Sequence, residues 1–112
     1  MPLFLLTLPD PEKARGEDPE LSFRSSGAGG LARELEDALR GDLLFRRWLE
    51  RQDDPDSVPP ELGLTDPDAT VEGEQDDLAI VLRARTSLPG QVLKHRLRLL
   101  AGSHWTLNDV RA

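Results

Sequence analysis

Apolar and polar residues follow different patterns in successive parts of this 112-residue chain. Residues 3–8 form a short apolar run that Pro9 ends, which predicts a buried β-strand. Residues 31–49 instead space their apolar side chains three and four apart, as on one face of a helix. Gly41 interrupts that spacing, and glycine commonly ends a helix. We therefore expect one kinked helix, or two abutting helices, over about residues 30–51.

The last third of the chain fits an antiparallel β-meander. If residues 89–90 form a hairpin turn, the apolar positions of the two flanking strands fall on one shared face. A second turn at residues 75–76 places Val71 opposite Ile80, and a last strand covers residues 103–110. The predicted fold is therefore α+β, with an N-terminal strand, the helix and an antiparallel meander packed on that helix.

A second interpretation fits the same segment. Leu93, Leu97 and Leu100 also have helical spacing, and Gly102 is a suitable helix end. A helix at about residues 89–101 gives the order strand, helix, two strands, helix, strand, which is a ferredoxin-like fold. The pattern alone leaves strand and helix both open here.

The segments between these elements are rich in proline and charge. Residues 9–20 and 52–68 are predicted to be irregular loops, and residues 21–24 a short second strand. The whole chain, residues 1–112, is expected to form a single α+β domain. The helical stripe and the strand alternation predict one common core. That core comprises Leu35, Leu39, Phe45, Leu49, Ile80, Leu82, Leu97 and Leu99.

Composition narrows the class of protein. Only 38% of the residues are hydrophobic and 31% are charged, which suits a small core with solvated loops. There is no cysteine, so disulfides and thiolate chemistry are excluded. The N-terminal apolar run is too short for a membrane span and lacks a preceding basic residue, so we expect a cytoplasmic protein. Arginine outnumbers lysine twelve to two, which we interpret as the codon bias of a GC-rich bacterial genome.

Charge is divided unevenly along the chain, whose net charge is −7. Residues 1–77 carry 20 acidic and 8 basic side chains, whereas residues 78–112 carry 6 basic side chains and one acidic. In the meander, the basic side chains of neighbouring strands face each other on the solvent side of the sheet, where like charges destabilise pairing. Neighbouring acids or an acidic partner must offset them. The predicted protein-binding residues are Arg83, Arg85, Lys94, Arg96 and Arg98.

No local motif carries a catalytic, cofactor or metal signature. The meander brings His95 close to Asp109, a pair that could orient a general base. The aspartates of residues 53–56 and 66–68 lack the spacing of a calcium loop. We therefore assign no catalytic, cofactor-binding or metal-binding residue and expect no cofactor.

These observations predict a small acidic protein without enzymatic activity that acts as a protein-interaction module: an adaptor, a chaperone or an immunity-type inhibitor. A protein partner or a homodimer is expected, whereas a membrane or nucleic acid is not, because phosphate attraction needs a cationic surface. One alternative is a ligand-binding or catalytic domain with His95 and Asp109 in a pocket between helix and sheet. Another is an acidic mimic of nucleic acid that uses the carboxylates of residues 50–77. The identity of the partner, the pathway and the oligomeric state stay open.

Overall fold

The computed structural model describes residues 1–112 and contains four strands and three α-helices. Two 3₁₀ turns, Pro55–Ser57 and Pro60–Gly63, lie between the second helix and the second strand. The elements are β1 (Leu3–Leu8), α1 (Ala28–Arg40), α2 (Leu43–Leu49), β2 (Thr70–Asp76), β3 (Ala79–Arg85), α3 (Gly90–Ala101) and β4 (Thr106–Arg111).

The four strands form one antiparallel sheet in the order β2-β3-β1-β4. Helices α1 and α3 contact each other and contribute to the same core as the buried face of the sheet. The α+β prediction is confirmed, and the order of elements is the ferredoxin-like one, with α2 as an addition after α1. The meander is wrong in one element, because the strand predicted to follow the turn at residues 89–90 is helix α3.

The spacing of the apolar side chains explains why helix α3 forms. Leu93, Leu97 and Leu100 lie one turn apart and are all buried, as a helix packed on a sheet requires. Pro89 precedes the helix, and Gly102 follows it with φ of 64°. A crossover helix also changes the pairing of the last strand, so β4 lies beside β1 instead of beside residues 91–99.

The β2–β3 hairpin has the predicted faces but a different register. The turn is formed by Asp77 and Leu78, and Asp77 has φ of 57°. Val71 therefore lies opposite Ala84 instead of Ile80. The pairing has slipped by four residues along β3, and an even slip keeps each side chain on its face. Val71 is buried as expected, whereas Leu78 is 81% exposed at the turn.

The predicted core is largely correct. Strand β1 has alternating burial, with Phe4, Leu6 and Leu8 pointing into a cluster of 21 buried apolar residues. Of the eight predicted core residues, Leu49 and Leu99 are only half-buried. The other six are buried: Leu35, Leu39, Phe45, Ile80, Leu82 and Leu97.

Of the two predicted options for residues 30–51, two abutting helices are confirmed, and they meet at Gly41–Asp42. The predicted strand at residues 21–24 is wrong, because Phe23 donates its amide hydrogen to the carbonyl of Leu100 and pairs with no strand. Residues 52–68 contain only the two 3₁₀ turns. None of the helices has the length and apolar composition needed to cross a bilayer.

Candidate functional site

The five basic residues predicted to form one surface are not brought together. Arg83 and Arg85 alternate with the buried Leu82 and Ala84 of β3, so they point to the side of the sheet that faces away from the helices. The other three lie on α3, on the helical side of the sheet: Lys94, Arg96 and Arg98. The predicted facing pairs of like charges do not exist, because α3 is not a strand.

The β3 cations have ordinary surroundings for a sheet surface. A guanidinium nitrogen of Arg83 lies 2.8 Å from a carboxylate oxygen of Glu74, its diagonal neighbour across the hairpin. Both side chains are well exposed, so this ion pair adds little to stability. Arg85 is exposed at the end of β3, opposite Thr70. Glu74 is therefore the neighbouring acid that offsets the charge of Arg83.

Arg96 is fully buried. Its guanidinium donates hydrogen bonds to three carbonyl oxygens, those of Ala38 at 3.1 Å, Leu62 at 2.5 Å and Leu64 at 2.9 Å. It also lies 5.3 Å from the ring centre of Phe45. Burial lowers the pKa of Arg96 from its usual value. This side chain joins α3 to the end of α1 and to residues 62–64. The prediction that Arg96 lies on the solvent side of the sheet is therefore wrong.

Lys94 and Arg98 are the accessible cations of α3. They lie one turn apart, Lys94 half-buried and Arg98 exposed. Arg98 forms no ion pair with any carboxylate of the protein. Of the five predicted residues, Arg98 alone lines a groove that runs between α2, α3 and the loop before α1.

That groove has a volume of about 900 Å³ and is open to solvent. We call it the α2–α3 groove and define it by the four segments that line it. They are residues 15–21 of the first loop, residues 48–52 at the end of α2, residues 95–99 on the outer side of α3, and residues 102–105 before β4. This groove lies between two helices and a loop and contains His95 but not Asp109, so it is not the predicted pocket between helix and sheet.

The groove gathers an unusual share of the aromatic and imidazole groups of the chain. The sequence has two tryptophans and two histidines, and all four line this groove. The rings of Trp48 and His95 meet edge to face, with their centres 4.4 Å apart. The indole nitrogen of Trp105 donates to the carbonyl of Gly102 at 2.9 Å, which fixes that ring on the helix end. Trp48 and Trp105 are both half-buried, so each presents part of an aromatic surface.

His95 has a defined protonation state. The residue is 8% exposed, and its Nδ1 atom is buried without a hydrogen-bond partner. Burial, followed by the charges of Arg96 and Arg98, lowers the pKa of His95 to about 4. The ring is therefore neutral at pH 7 and carries one N–H. Since buried unpaired N–H groups are rarer than unpaired acceptors, we leave the buried Nδ1 as the acceptor and assign this hydrogen to Nε2.

Residues 15–21, which we call the loop wall of the groove, are held directly on the C-terminal end of α3. The amide of Gly16 donates to the hydroxyl of Ser22 at 2.9 Å, and that hydroxyl donates to the carbonyl of Leu100 at 3.2 Å. A side chain at Gly16 would collide with the Leu99 carbonyl oxygen. At Gly102, with its positive φ, a Cβ would lie 2.8 Å from the Arg15 carbonyl oxygen. Glycine at both positions allows the loop and the helix end to touch.

An ion pair connects the loop wall to the α2 wall. Arg51 donates to a carboxylate oxygen of Asp18, and to one of Glu20 at 2.6 Å. The hydrogen bonds to these two carboxylates raise the pKa of Arg51. The pair is exposed and therefore sensitive to salt.

The predicted pairing of His95 with Asp109 does not occur. Asp109 lies on β4, where its carboxylate accepts a hydrogen bond from Arg111 at 2.9 Å. The bond from Arg111 and one from the Val110 amide lower the pKa of Asp109. The two residues are apart because α3 lies on the helical layer and β4 pairs with β1. The hypothesis of a catalytic pair is therefore wrong in its geometry.

The acidic segment before β2 contains one aspartate with a structural role. Asp66 is buried and accepts hydrogen bonds from the Thr86 hydroxyl at 2.8 Å and from the Ser87 and Asp68 amides, both at 3.0 Å. The bond from the Ser87 amide contributes most to the lowered pKa of Asp66. No three His, Asp or Glu side chains lie close enough together to hold a metal ion.

The sequence alone missed the roles of Trp48, Trp105 and Arg51 in this groove. The two tryptophans could have been singled out by their rarity, since the chain has only five aromatic residues besides its two histidines. Their convergence depends on α3, which the meander interpretation did not contain.

Comparison of the chain with models of known protein families, with curated proteins and with solved structures gives no match. A function for this protein therefore rests on the α2–α3 groove itself.

Proposed function

We propose that this protein is a non-enzymatic protein-interaction module and that the α2–α3 groove receives an extended segment of a partner protein. The observation that carries the proposal is the convergence of Trp48, Trp105 and Arg98 in one groove. Tryptophan and arginine are the residues most enriched among those that dominate the binding energy of protein interfaces.

The shape of the groove favours a peptide segment over a small molecule. Pockets for small ligands enclose most of the ligand and are lined mainly by apolar groups. This groove is open, and only four of its 15 lining residues are hydrophobic. An extended chain can lie along such a surface, with one large side chain against the tryptophans and its polar groups toward the rim.

The groove is also held in place before any partner arrives. The contacts of Gly16 and Gly102 with the end of α3 fix one wall, and the Arg51 ion pair connects it to the other. A preformed site loses less conformational entropy when it binds, so a short segment can bind usefully.

Selection from a display library of random peptides tests the proposal. The bait is the purified protein, and the enriched peptides are then titrated while tryptophan fluorescence is recorded. We expect their affinity to fall at least tenfold in Trp48→Ala and to be unchanged in Leu78→Ala. Leu78 is a matched control because it is a large apolar residue, 81% exposed at the β2–β3 turn.

Two results would overturn the proposal. One is that no peptide is enriched over an unrelated bait. The other is that the enriched peptides bind Trp48→Ala as well as they bind the wild type. Because Trp48 is half-buried, a thermal melt must first show that the variant is folded; Arg98→Glu, at an exposed position, serves as a second groove variant.

A further inference from the structure

The floor of the α2–α3 groove has positive charge that the protein does not neutralise. Arg98 forms no ion pair with any carboxylate of the protein. Arg15, at the loop wall, donates to the carbonyls of Ala14 and Ser25, at 2.9 and 3.0 Å. Of the two acids in the lining, Asp18 is already paired with Arg51, which leaves Glu17 against the two unpaired cations Arg15 and Arg98. A chain of net charge −7 therefore presents a local cationic site.

His95 is the second polar group of this groove, beside Arg98, that the protein does not pair. Its ring is more than nine-tenths buried and makes no hydrogen bond within the protein. The buried atom without a partner is Nδ1, so the Nε2–H group assigned above is the donor that the ring can offer to a ligand beside the exposed Arg98. The two residues are three positions apart on α3, so their side chains lie on the same side of the helix.

We propose, on the basis of the function proposed above, that the partner segment is acidic and that one of its carboxylates binds Arg98 and the Nε2–H of His95 together. A guanidinium pairs with a carboxylate through two parallel hydrogen bonds, and a neighbouring imidazole N–H can donate to the same group. The side chain next to the acid in the partner then lies against Trp48, whose ring contacts that of His95.

A polyanion such as a single-stranded nucleic acid fits less well. The net charge of −7 on the whole protein opposes the many phosphates of a nucleic acid. A peptide with one or two carboxylates needs only the local positive charge.

Paired peptide arrays test the inference. One array holds short peptides that combine Asp or Glu with a large apolar residue; the other holds the same peptides with Asn or Gln in place of each acid. We expect the wild type to bind the acidic array tenfold or more tightly, since hydrogen bonds between charged groups contribute about 1.5–3 kcal/mol and 1.4 kcal/mol is a factor of ten. Arg98→Gln should remove this preference, and Arg85→Gln, an exposed arginine on the other side of the sheet, should keep it.

Charge reversal makes the test sharper. Arg98→Glu should lose the acidic peptides and gain affinity for an array in which lysine replaces the acids. Nitrogen NMR of the His95 ring gives a readout that needs no variant: the pKa of His95 should rise when an acidic peptide binds, because a carboxylate then lies beside the ring.

Each contrary result has a distinct meaning. Equal binding of the acidic and amide arrays would overturn the acidic partner and leave the interaction function standing. Loss of the acidic preference in Arg85→Gln but not in Arg98→Gln would place the site on the other face. Tighter binding of a single-stranded oligonucleotide than of any acidic peptide would replace this partner with a nucleic acid. If neither array binds at all, the proposed function fails and the inference fails with it.

Discussion

Strand β3 and helix α3 have similar sequence patterns but different secondary structures. In each, apolar and basic residues alternate, as in Leu82-Arg83-Ala84-Arg85 of β3 and Arg96-Leu97-Arg98-Leu99 of α3. In β3 the alternation separates two faces, and both arginines lie away from the core. In α3 the first arginine is fully buried and the second is exposed, although they are two residues apart.

The difference shows that alternation over six or seven residues does not define a strand. Strand β3 has a neighbouring strand on each side, so its backbone groups are paired within the sheet. The α3 segment is longer, carries leucines one turn apart, and lies between Pro89 and Gly102. Its arginines therefore fall on different sides of a helix, and only one of them reaches the groove.

The largest expected effect comes from the apolar residues that both elements bury. Leu82→Ala in β3 and Leu97→Ala in α3 should each lower the free energy of unfolding by about 2–5 kcal/mol, since both side chains are fully buried. Leu78→Ala, at the exposed turn, should change it by less than about 0.5 kcal/mol. Urea denaturation measures all three. A cost for Leu97→Ala as small as that for Leu78→Ala would mean that α3 does not pack on the sheet.

Arg96 and Arg83 should differ nearly as much in what they contribute to the free energy of unfolding. Arg96→Ala leaves the carbonyls of Ala38, Leu62 and Leu64 without a donor, which we expect to cost roughly 2–4 kcal/mol. Arg83→Ala removes an exposed ion pair and should cost less than about 1 kcal/mol. The meander predicts the reverse for Arg96, since relief of a facing like charge would add stability. Equal costs in the two variants would contradict the structural role of Arg96.

Acid should weaken the packing of α2 on α3 through His95. Its pKa is about 4 in the folded protein against 6.5 when exposed, so the unfolded chain takes up the proton first as the pH falls. The stability that the neutral ring contributes is complete above pH 6.5 and is lost between pH 6.5 and 4. We expect a loss of about 2 kcal/mol between pH 7 and pH 5. His95→Gln should flatten this dependence, whereas His104→Gln, at an exposed position, should retain it.

Arg98 should have the smallest effect on stability. Arg98→Gln removes no ion pair or buried contact, so the free energy of unfolding should change by less than about 0.5 kcal/mol. The same variant should lose the binding of acidic peptides. A large loss of stability in Arg98→Gln would show that this arginine, like Arg96, is part of the fold.

Local patterns in the sequence were enough for most elements. The apolar run of β1, the break at Gly41 and the alternation of β3 each specify structure through neighbours in the chain. The hairpin register could not be predicted from alternation, because Val71 is equally well placed opposite Ile80 or Ala84. Pairing of β4 with β1 depends on α3, and no local pattern could indicate it.

The groove was harder to predict than the fold. Trp48, His95 and Trp105 come from three separate segments, and they converge only because two helices and a loop pack together. The predicted basic residues indicated the groove only partly, since one of the five lies in it. Burial of Arg96 depends on carbonyls at residues 62–64, which belong to a segment that the sequence describes only as a loop.

The most direct test of the account is to locate where an acidic peptide contacts the protein. Backbone amide NMR signals are recorded while a peptide selected from the acidic array is added. We predict that the signals that shift belong to residues 15–21, 48–52 and 95–105, and that those of β3 stay unchanged. Shifts centred on Arg83 and Arg85, with none around His95 and Arg98, would contradict the central claim that the α2–α3 groove is the contact surface.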